Sequence, residues 1–242
     1  MGFMRSGRLV CCALLCLGWT GVPMVAEGQD VELDFVAGFS GSEDNQALGV
    51  ALDGSGNSYV TGRFRGTVDL DPGAGMVEVT SNGSDDIFVC KLDAAGALVW
   101  SRNFGGTLRD EVTHIALDSA GNVFVGGTFT GTVDFDPGDG TTTLSSRGSS
   151  DIFVLKLDPA GDFLWARAIG NSFTDNLRGM DVDSMGAVYS TGFFRSTLDF
   201  DPSAEVENIA SAGNEDAFVF KLDADGNFAW AGAFSGSGRE EG

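Results

Sequence analysis

The residues best suited to hold a cation are Asp134, Asp136 and Asp139, in the run Asp-Phe-Asp-Pro-Gly-Asp-Gly at 134–140. Hard carboxylate oxygens crowded into a glycine-bearing turn are what Ca²⁺ takes. The spacing is not that of an EF-hand loop, which closes on a bidentate Glu. An ordinary Asp-Pro turn with side-chain to backbone hydrogen bonds accounts for Asp134 and Asp136 without metal. Calcium is therefore carried as a speculative cofactor and no other is assigned. The remaining candidates for chemistry are sparse. His114 is the one histidine and cannot build a histidine-rich zinc site. No Gly-x-Ser-x-Gly, Gly-x-Gly-x-x-Gly or P-loop pattern occurs, and no catalytic residue is assigned.

The elements that must position these residues come from an internal repeat. Trp100, Trp165 and Trp230 recur every 65 residues without an insertion. Asp-Ile-Phe-Val at 86–89 returns at 151–154 and, as Asp-Ala-Phe-Val, at 216–219. Lys-Leu-Asp follows each time, at 91–93, 156–158 and 221–223, and Asp-Pro recurs at 71–72, 136–137 and 201–202. Within one copy the pattern predicts strands over 49–53, 58–64, 86–93 and 97–104, with tight turns at 54–57 and 94–96 and an excursion from Thr67 to Asp85. Successive side chains of a strand face opposite sides. Phe88, Cys90 and Leu92 then share one face, and Ile87 and Val89 the other. Both faces are apolar and both must be covered, which favours blades stacked on blades over a sandwich with one wet face.

The repeat also weighs the candidate sites. Asp139 is Ala74 in the first copy and Ala204 in the third. His114 aligns with Gly49 and Gly179, and Cys90 with Leu155 and Phe220, so the thiol reads as a small core hydrophobe. All three lysines, Lys91, Lys156 and Lys221, occupy one repeat position. They read either as a ring of ligand-facing cations or as partners of carboxylates such as Asp93, Asp158 and Asp223, and the second is preferred because half-buried charges need partners. The tryptophans read as packing at a blade edge rather than as sugar platforms.

Residues 1–28 stand apart. Arg5 and Arg8 precede an apolar stretch over 9–22, and Ala26-Glu27-Gly28 offers small residues for cleavage, the pattern of a secretory signal peptide. Its removal takes Cys11, Cys12 and Cys16 and leaves Cys90 alone, so no internal disulfide is expected. It also leaves no membrane span. The chain carries 35 Asp and Glu against 14 Lys and Arg, a formal charge of −21, which disfavours nucleic acid and anionic lipid as partners.

The run Gly-Asn-Val-Phe-Val-Gly-Gly-Thr-Phe-Thr-Gly-Thr-Val-Asp-Phe-Asp-Pro-Gly at 121–138, with Asp-Ile-Phe-Val-Leu-Lys-Leu-Asp at 151–158 and Leu164-Trp165, resembles SBBP-type β-propeller repeats of bacteria. The resemblance implies an all-β propeller in an extracytoplasmic setting and carries over no catalytic residue. The domains expected are a signal peptide at 1–28, a lead-in at 29–35, and four-stranded blades at 36–100, 101–165 and 166–230, with a fourth begun at 231–242. Residues 36–39 match the end of a strand whose blade would lie upstream, so the ring is expected to be incomplete, with self-association through open blade faces one way to complete it. The function expected is a secreted or cell-surface binding or structural scaffold for an extracellular protein or glycan. The alternatives are a propeller hydrolase or lyase using acidic residues, and a calcium-dependent adhesion module.

Overall fold

The computed structural model describes residues 38–236, and the expected signal peptide and lead-in lie outside them. Three four-stranded antiparallel sheets follow one another along the chain. The first is formed by β2 (Asn45–Leu52), β3 (Ser58–Phe64), β6 (Asp86–Leu92) and β7 (Leu98–Phe104), after a short β1 (Ser40–Gly41). The second is formed by β8 (Glu111–Leu117), β9 (Val123–Phe129), β12 (Asp151–Leu157) and β13 (Phe163–Ile169). The third is formed by β14 (Asn176–Val182), β15 (Val188–Phe194), β18 (Asp216–Leu222) and β19 (Phe228–Phe234). Each strand pairs with its neighbour in sequence, the meander of a propeller blade. No helix among the described residues is long and apolar enough to cross a membrane.

Between the second and third strands of each blade the excursion folds into a hairpin that the sequence pattern did not mark as strand. These hairpins are β4 (Thr67–Asp69) with β5 (Glu78–Thr80), β10 (Thr132–Asp134) with β11 (Thr143–Ser145), and β16 (Thr197–Asp199) with β17 (Asn208–Ala210). Each strand has three residues, too few for an alternation to be read. The innermost strand also starts at Asn45 rather than at Gly49, because a bulge between Ala47 and Gly49 breaks its period. The blades meet in the loops at 105–110 and 170–175. A boundary between 100 and 101, or between 165 and 166, divides β7 or β13, and residues 231–234 complete β19 instead of opening a fourth blade.

The core lies between blades. Ile87 and Val89 of β6 join Val125 of β9 and Phe153 and Leu155 of β12 in one buried cluster. Ile152 and Val154, on the opposite face of β12, join Leu177, Val188, Phe218 and Phe220 in the next. Phe88 and Cys90 turn the other way, against Val68 and Leu70 of the first excursion. The alternation read from the third strand is thus the alternation of the interfaces. Cys90 is buried and unbonded, and burial pushes its thiol up, as expected of a packing residue.

The tight turns share one device. In each the leading aspartate accepts two backbone N–H groups through Oδ1: Asp53 from Ser55 and Asn57, Asp93 from Ala95 and Ala97, Asp158 from Ala160 and Asp162. Asp118, Asp183 and Asp223 repeat it. The following glycine holds positive φ, as at Gly161 (φ 81°) and Gly226 (φ 76°). A Cβ at Gly161 would also stand 3.0 Å from Trp100 Cδ2 of the preceding blade. Gly161→Ala should therefore destabilise the fold by at least about 1–2 kcal/mol through the left-handed backbone alone. Gly54→Ala, which meets nothing within 4 Å, should leave the thermal midpoint nearly unchanged. Thermal melts of the two variants check this, and equal midpoints would contradict it.

Candidate functional site

Each sequence-level candidate has a definite place. Asp134 Oδ1 accepts the N–H groups of Asp136 at 3.1 Å and Thr142 at 2.8 Å, closing the β10–β11 loop, and Asp136 Oδ1 accepts that of Gly138 at 2.9 Å. Asp69 and Asp199 do the same in the other blades. Asp139 is exposed at the loop tip. Among the described residues no three His, Cys, Asp or Glu side chains converge as metal ligands, so Asp134, Asp136 and Asp139 are not brought together as a cation site.

The lysines do not pair with Asp93, Asp158 and Asp223. Lys156 Nζ donates to the Ala224 carbonyl of the next blade at 2.9 Å and sits 4.9 Å from the Phe124 ring. Lys221 donates to Tyr189 Oη at 2.7 Å, and Lys91 lies over Tyr59. The aspartates named as partners are occupied by their own turns, and Lys91 and Lys221 act instead on Asp53 and Asp183, other carboxylates of their blades, beside the aromatic faces they cover.

The tryptophans are joined by a residue the sequence reading missed. Trp100 Nε1 donates to the Pro159 carbonyl at 3.1 Å, and Arg102, two residues on, donates from Nε to Gly161 O at 2.8 Å and from Nη2 to Ala160 O at 3.2 Å. Trp165 and Arg167 repeat the contact on the next turn, to Ala224, Gly226 and Asp225. Each Arg also covers its own Trp. The outer strand of one blade thus grips the β-turn of the next, and Trp-x-Arg facing Asp-x-x-Gly was the available signal. The third copy has Gly232 at the arginine position, and Trp230 is 44% exposed.

Buried aspartates anchor the blade junctions. Asp110 Oδ2 accepts Gly106 N–H at 2.7 Å and its Oδ1 accepts Thr130 N–H, while Asp175 Oδ2 accepts Asn171 N–H at 2.7 Å. Asp86 and Asp151 accept from Asn82 and Arg147. Burial pushes Asp86 and Asp110 up to about 6 and Asp175 to about 7, with neighbouring carboxylates adding to the shift. These groups are buried and bonded to backbone N–H groups, and of them Asp151 also lines a second cavity. His114, on β8, is likewise half-buried, and burial lowers its pKa.

One polar constellation is absent from the second copy of the repeat. At the mouth between the first two blades, Asp85 is engaged by three arginines. Arg63 Nη1 donates to Asp85 Oδ2 at 3.0 Å, Arg65 Nε to Oδ1 at 3.1 Å and Arg109 Nε to Oδ2 at 3.1 Å. Arg63 also holds Gln46 Oε1 from Nε and Nη2, and Arg109 Nη2 pairs with Glu111. Gln46, Arg63, Arg65, Asp85 and Arg109 line a cavity of about 410 Å³ with Asp44. The second blade has Thr128, Thr130, Ser150 and Thr174 at the positions of Arg63, Arg65, Asp85 and Arg109, whereas the third copy of the sequence has Phe193, Arg195, Glu215 and Arg239 there, with Arg195 paired to Glu215. Alignment of the first and third copies, Arg65 with Arg195, Asp85 with Glu215 and Arg109 with Arg239, was the available signal.

With this geometry, the comparisons fall into place. A sequence model described as a β-propeller repeat, SBBP, matches residues 99–131. An uncharacterized WD repeat-containing protein of Acanthamoeba polyphaga mimivirus is 26% identical over 201 residues, 73% of this chain and 14% of that protein. The regulatory protein FlaEY of Caulobacter vibrioides is 30% identical over 142 residues, 57% of this chain and 14% of its own. The chain thus corresponds to about one seventh of each relative, and neither relative is named as an enzyme.

Two outcomes follow from the junctions. Arg167→Met removes two charge-assisted bonds to the next turn and should cost about 2 kcal/mol in chemical denaturation; an unchanged midpoint would show that the grip is incidental. Asp175 has a folded-state pKa raised from 3.8 to about 7. Its protonated form is favoured by folding, so the stability it confers is full below its unfolded pKa and is lost as pH rises through about 7. Asp175→Asn should flatten that decline and raise the midpoint at alkaline pH, and a variant as pH-sensitive as the parent would contradict the assignment.

The matched segment runs from the outer strand of one sheet through the first two strands of the next, and residues 99–131 match the SBBP β-propeller repeat.

Proposed function

We propose that the chain is a secreted or cell-surface β-propeller repeat protein that acts as a binding and structural scaffold for an extracellular partner. The observation that carries this reading is the division of labour among polar groups. The repeated aspartates bind backbone N–H groups in turns, loops and junctions, the repeated Trp-Arg pairs bind carbonyls between blades, and the arginine constellation, absent from the second copy, faces an open cavity. A scaffold that varies one mouth while keeping its frame is built for recognition. The pattern of Arg5, Arg8 and the apolar stretch after them supports export, and the acidic balance supports a partner other than nucleic acid.

A hydrolase or lyase built from acidic residues has less to work with. Asp86, Asp110 and Asp175, with raised pKa, are buried and bonded to backbone, and Asp85, which lines the cavity beside Asp44, is held by three guanidinium groups. The same proposal takes Val50 and Leu52 on β2, 66% and 69% exposed, and Phe234 on β19, 65% exposed, as surfaces for association with a second copy.

A panel of polysaccharides, chromogenic glycosides and esters, applied to protein recovered from the exporting cell, tests the proposal. Binding without turnover, by protein whose N-terminus begins after residue 26, is the expected result. Turnover that disappears on substitution of Asp85 or Glu111 would replace the scaffold by an enzyme.

A further inference from the structure

We infer that the arginine cluster of the first blade is a binding site for a singly charged carboxylate carried on a hydroxylated body, the chemistry of a uronic-acid sugar. The inference rests on the scaffold reading above and names the ligand class of that site.

The cluster is not needed by the fold. The backbone bond that joins the blades there, Asp110 N–H to Asp85 O at 2.9 Å, is matched at the next junction by Asp175 N–H to Ser150 O at 3.0 Å, with threonines and serine in place of every charged member. A buried carboxylate and three long cationic side chains cost desolvation and rotamer entropy, and an equivalent junction stands without them.

What the cluster does provide is a fixed set of donors. Asp85, with its side chain 6% exposed, anchors three guanidinium groups that are 24%, 44% and 52% exposed at Arg63, Arg65 and Arg109. Nη2 of Arg65 is held by Asp85 and Ser84 and Nη2 of Arg109 by Glu111, which leaves the Nη1 group of each as the outward donor. Among the described residues, neither Nη1 of Arg65 nor Nη1 of Arg109 donates to a protein acceptor. Two planar donor groups, held in place by a shared carboxylate, match an oxyanion, and their ordering is complete before the ligand arrives.

The surroundings select among oxyanions. Three carboxylates, Asp44, Asp85 and Glu111, offset the three arginines locally, and the whole chain carries −21. A polyanion or a dianionic phosphate meets that field with net repulsion. A single carboxylate can use the outward Nη1 groups without it. Asp44 presents acceptors suited to hydroxyl groups, and Gln46, whose Oε1 is held by Arg63, presents its amide N–H groups. A cavity of about 410 Å³ lined by polar groups fits a sugar better than an apolar ligand.

The test is titration calorimetry of the full chain at low ionic strength with glucuronate, glucose, inorganic sulfate and an acidic peptide, repeated with Arg65→Gln and Arg109→Gln. Both side chains are about half exposed, so both variants should keep the parent's thermal midpoint. Glucuronate should bind, glucose and sulfate should bind about tenfold or more weakly, and either substitution should weaken glucuronate by about tenfold or more. Glucuronate binding no better than glucose, or indifferent to both substitutions, would overturn the site. So would tighter binding of sulfate or of the acidic peptide. If the chain binds another polysaccharide of the panel undiminished by these substitutions, the site falls while the scaffold reading stands. If it turns a ligand over, the scaffold reading itself falls.

Discussion

The constraint on which this structure depends is that each central strand is apolar on both faces. β12 buries Phe153 and Leu155 toward one blade and Ile152 and Val154 toward the other, and no isolated four-stranded sheet could keep both sets from water. Burying each such side chain is worth about 1.5–3 kcal/mol, so the stack of blades is the source of stability and a single blade is not. The remaining features serve that stack. Trp-x-Arg on the outer strand fixes the lateral register, Gly161 and Gly226 let the gripped turn approach the indole, and the excursion hairpins cap the flank with Val68, Val133 and Leu198.

The same constraint explains the acidity without a ligand. Short strands need many turns, and aspartate is the side chain that binds the backbone two and four residues ahead while leaving its second oxygen for an asparagine, as Asp53 does with Asn57. That asparagine bond is the main reason the Asp53 carboxyl is held below its ordinary value. Aspartates used this way accumulate with every copy of the repeat, and the surplus of negative charge accumulates with them. In such a field three arginines around one carboxylate stand out. The second copy replaces them with Thr128, Thr130 and Thr174.

How much of this was legible in the sequence depends on what the repeat makes visible. The spacing of Trp100, Trp165 and Trp230 and the two-faced strand around Phe88 showed stacked four-stranded sheets, because burial on both faces leaves a period that survives in one dimension. The hairpins of three-residue strands left no such period. The lysine partners were misread because Lys156 is adjacent in sequence to acids but adjacent in space to Phe124 and the Ala224 carbonyl of another blade. Arg102 and Arg167 stood in plain view two residues after each tryptophan, yet their partners lie about 60 residues away, as the bond from Arg102 to Asp162 shows. The arginine cluster was the least legible, since Gln46, Arg63, Asp85 and Arg109 come from four separate segments that only pairing of β2, β3 and β6 with the neighbouring β8 brings together.

Native-state hydrogen exchange, read by mass spectrometry, tests the dependence of the fold on blade stacking. Amides of β9 and β12, enclosed on both sides, should exchange only through global unfolding, and protection should fall toward β2 on one flank and β19 on the other. Loss of Arg102 or Arg167 should loosen exchange across the blade boundary it grips as well as locally. Three blades protected equally and exchanging independently of one another, unaffected by either arginine, would contradict the account.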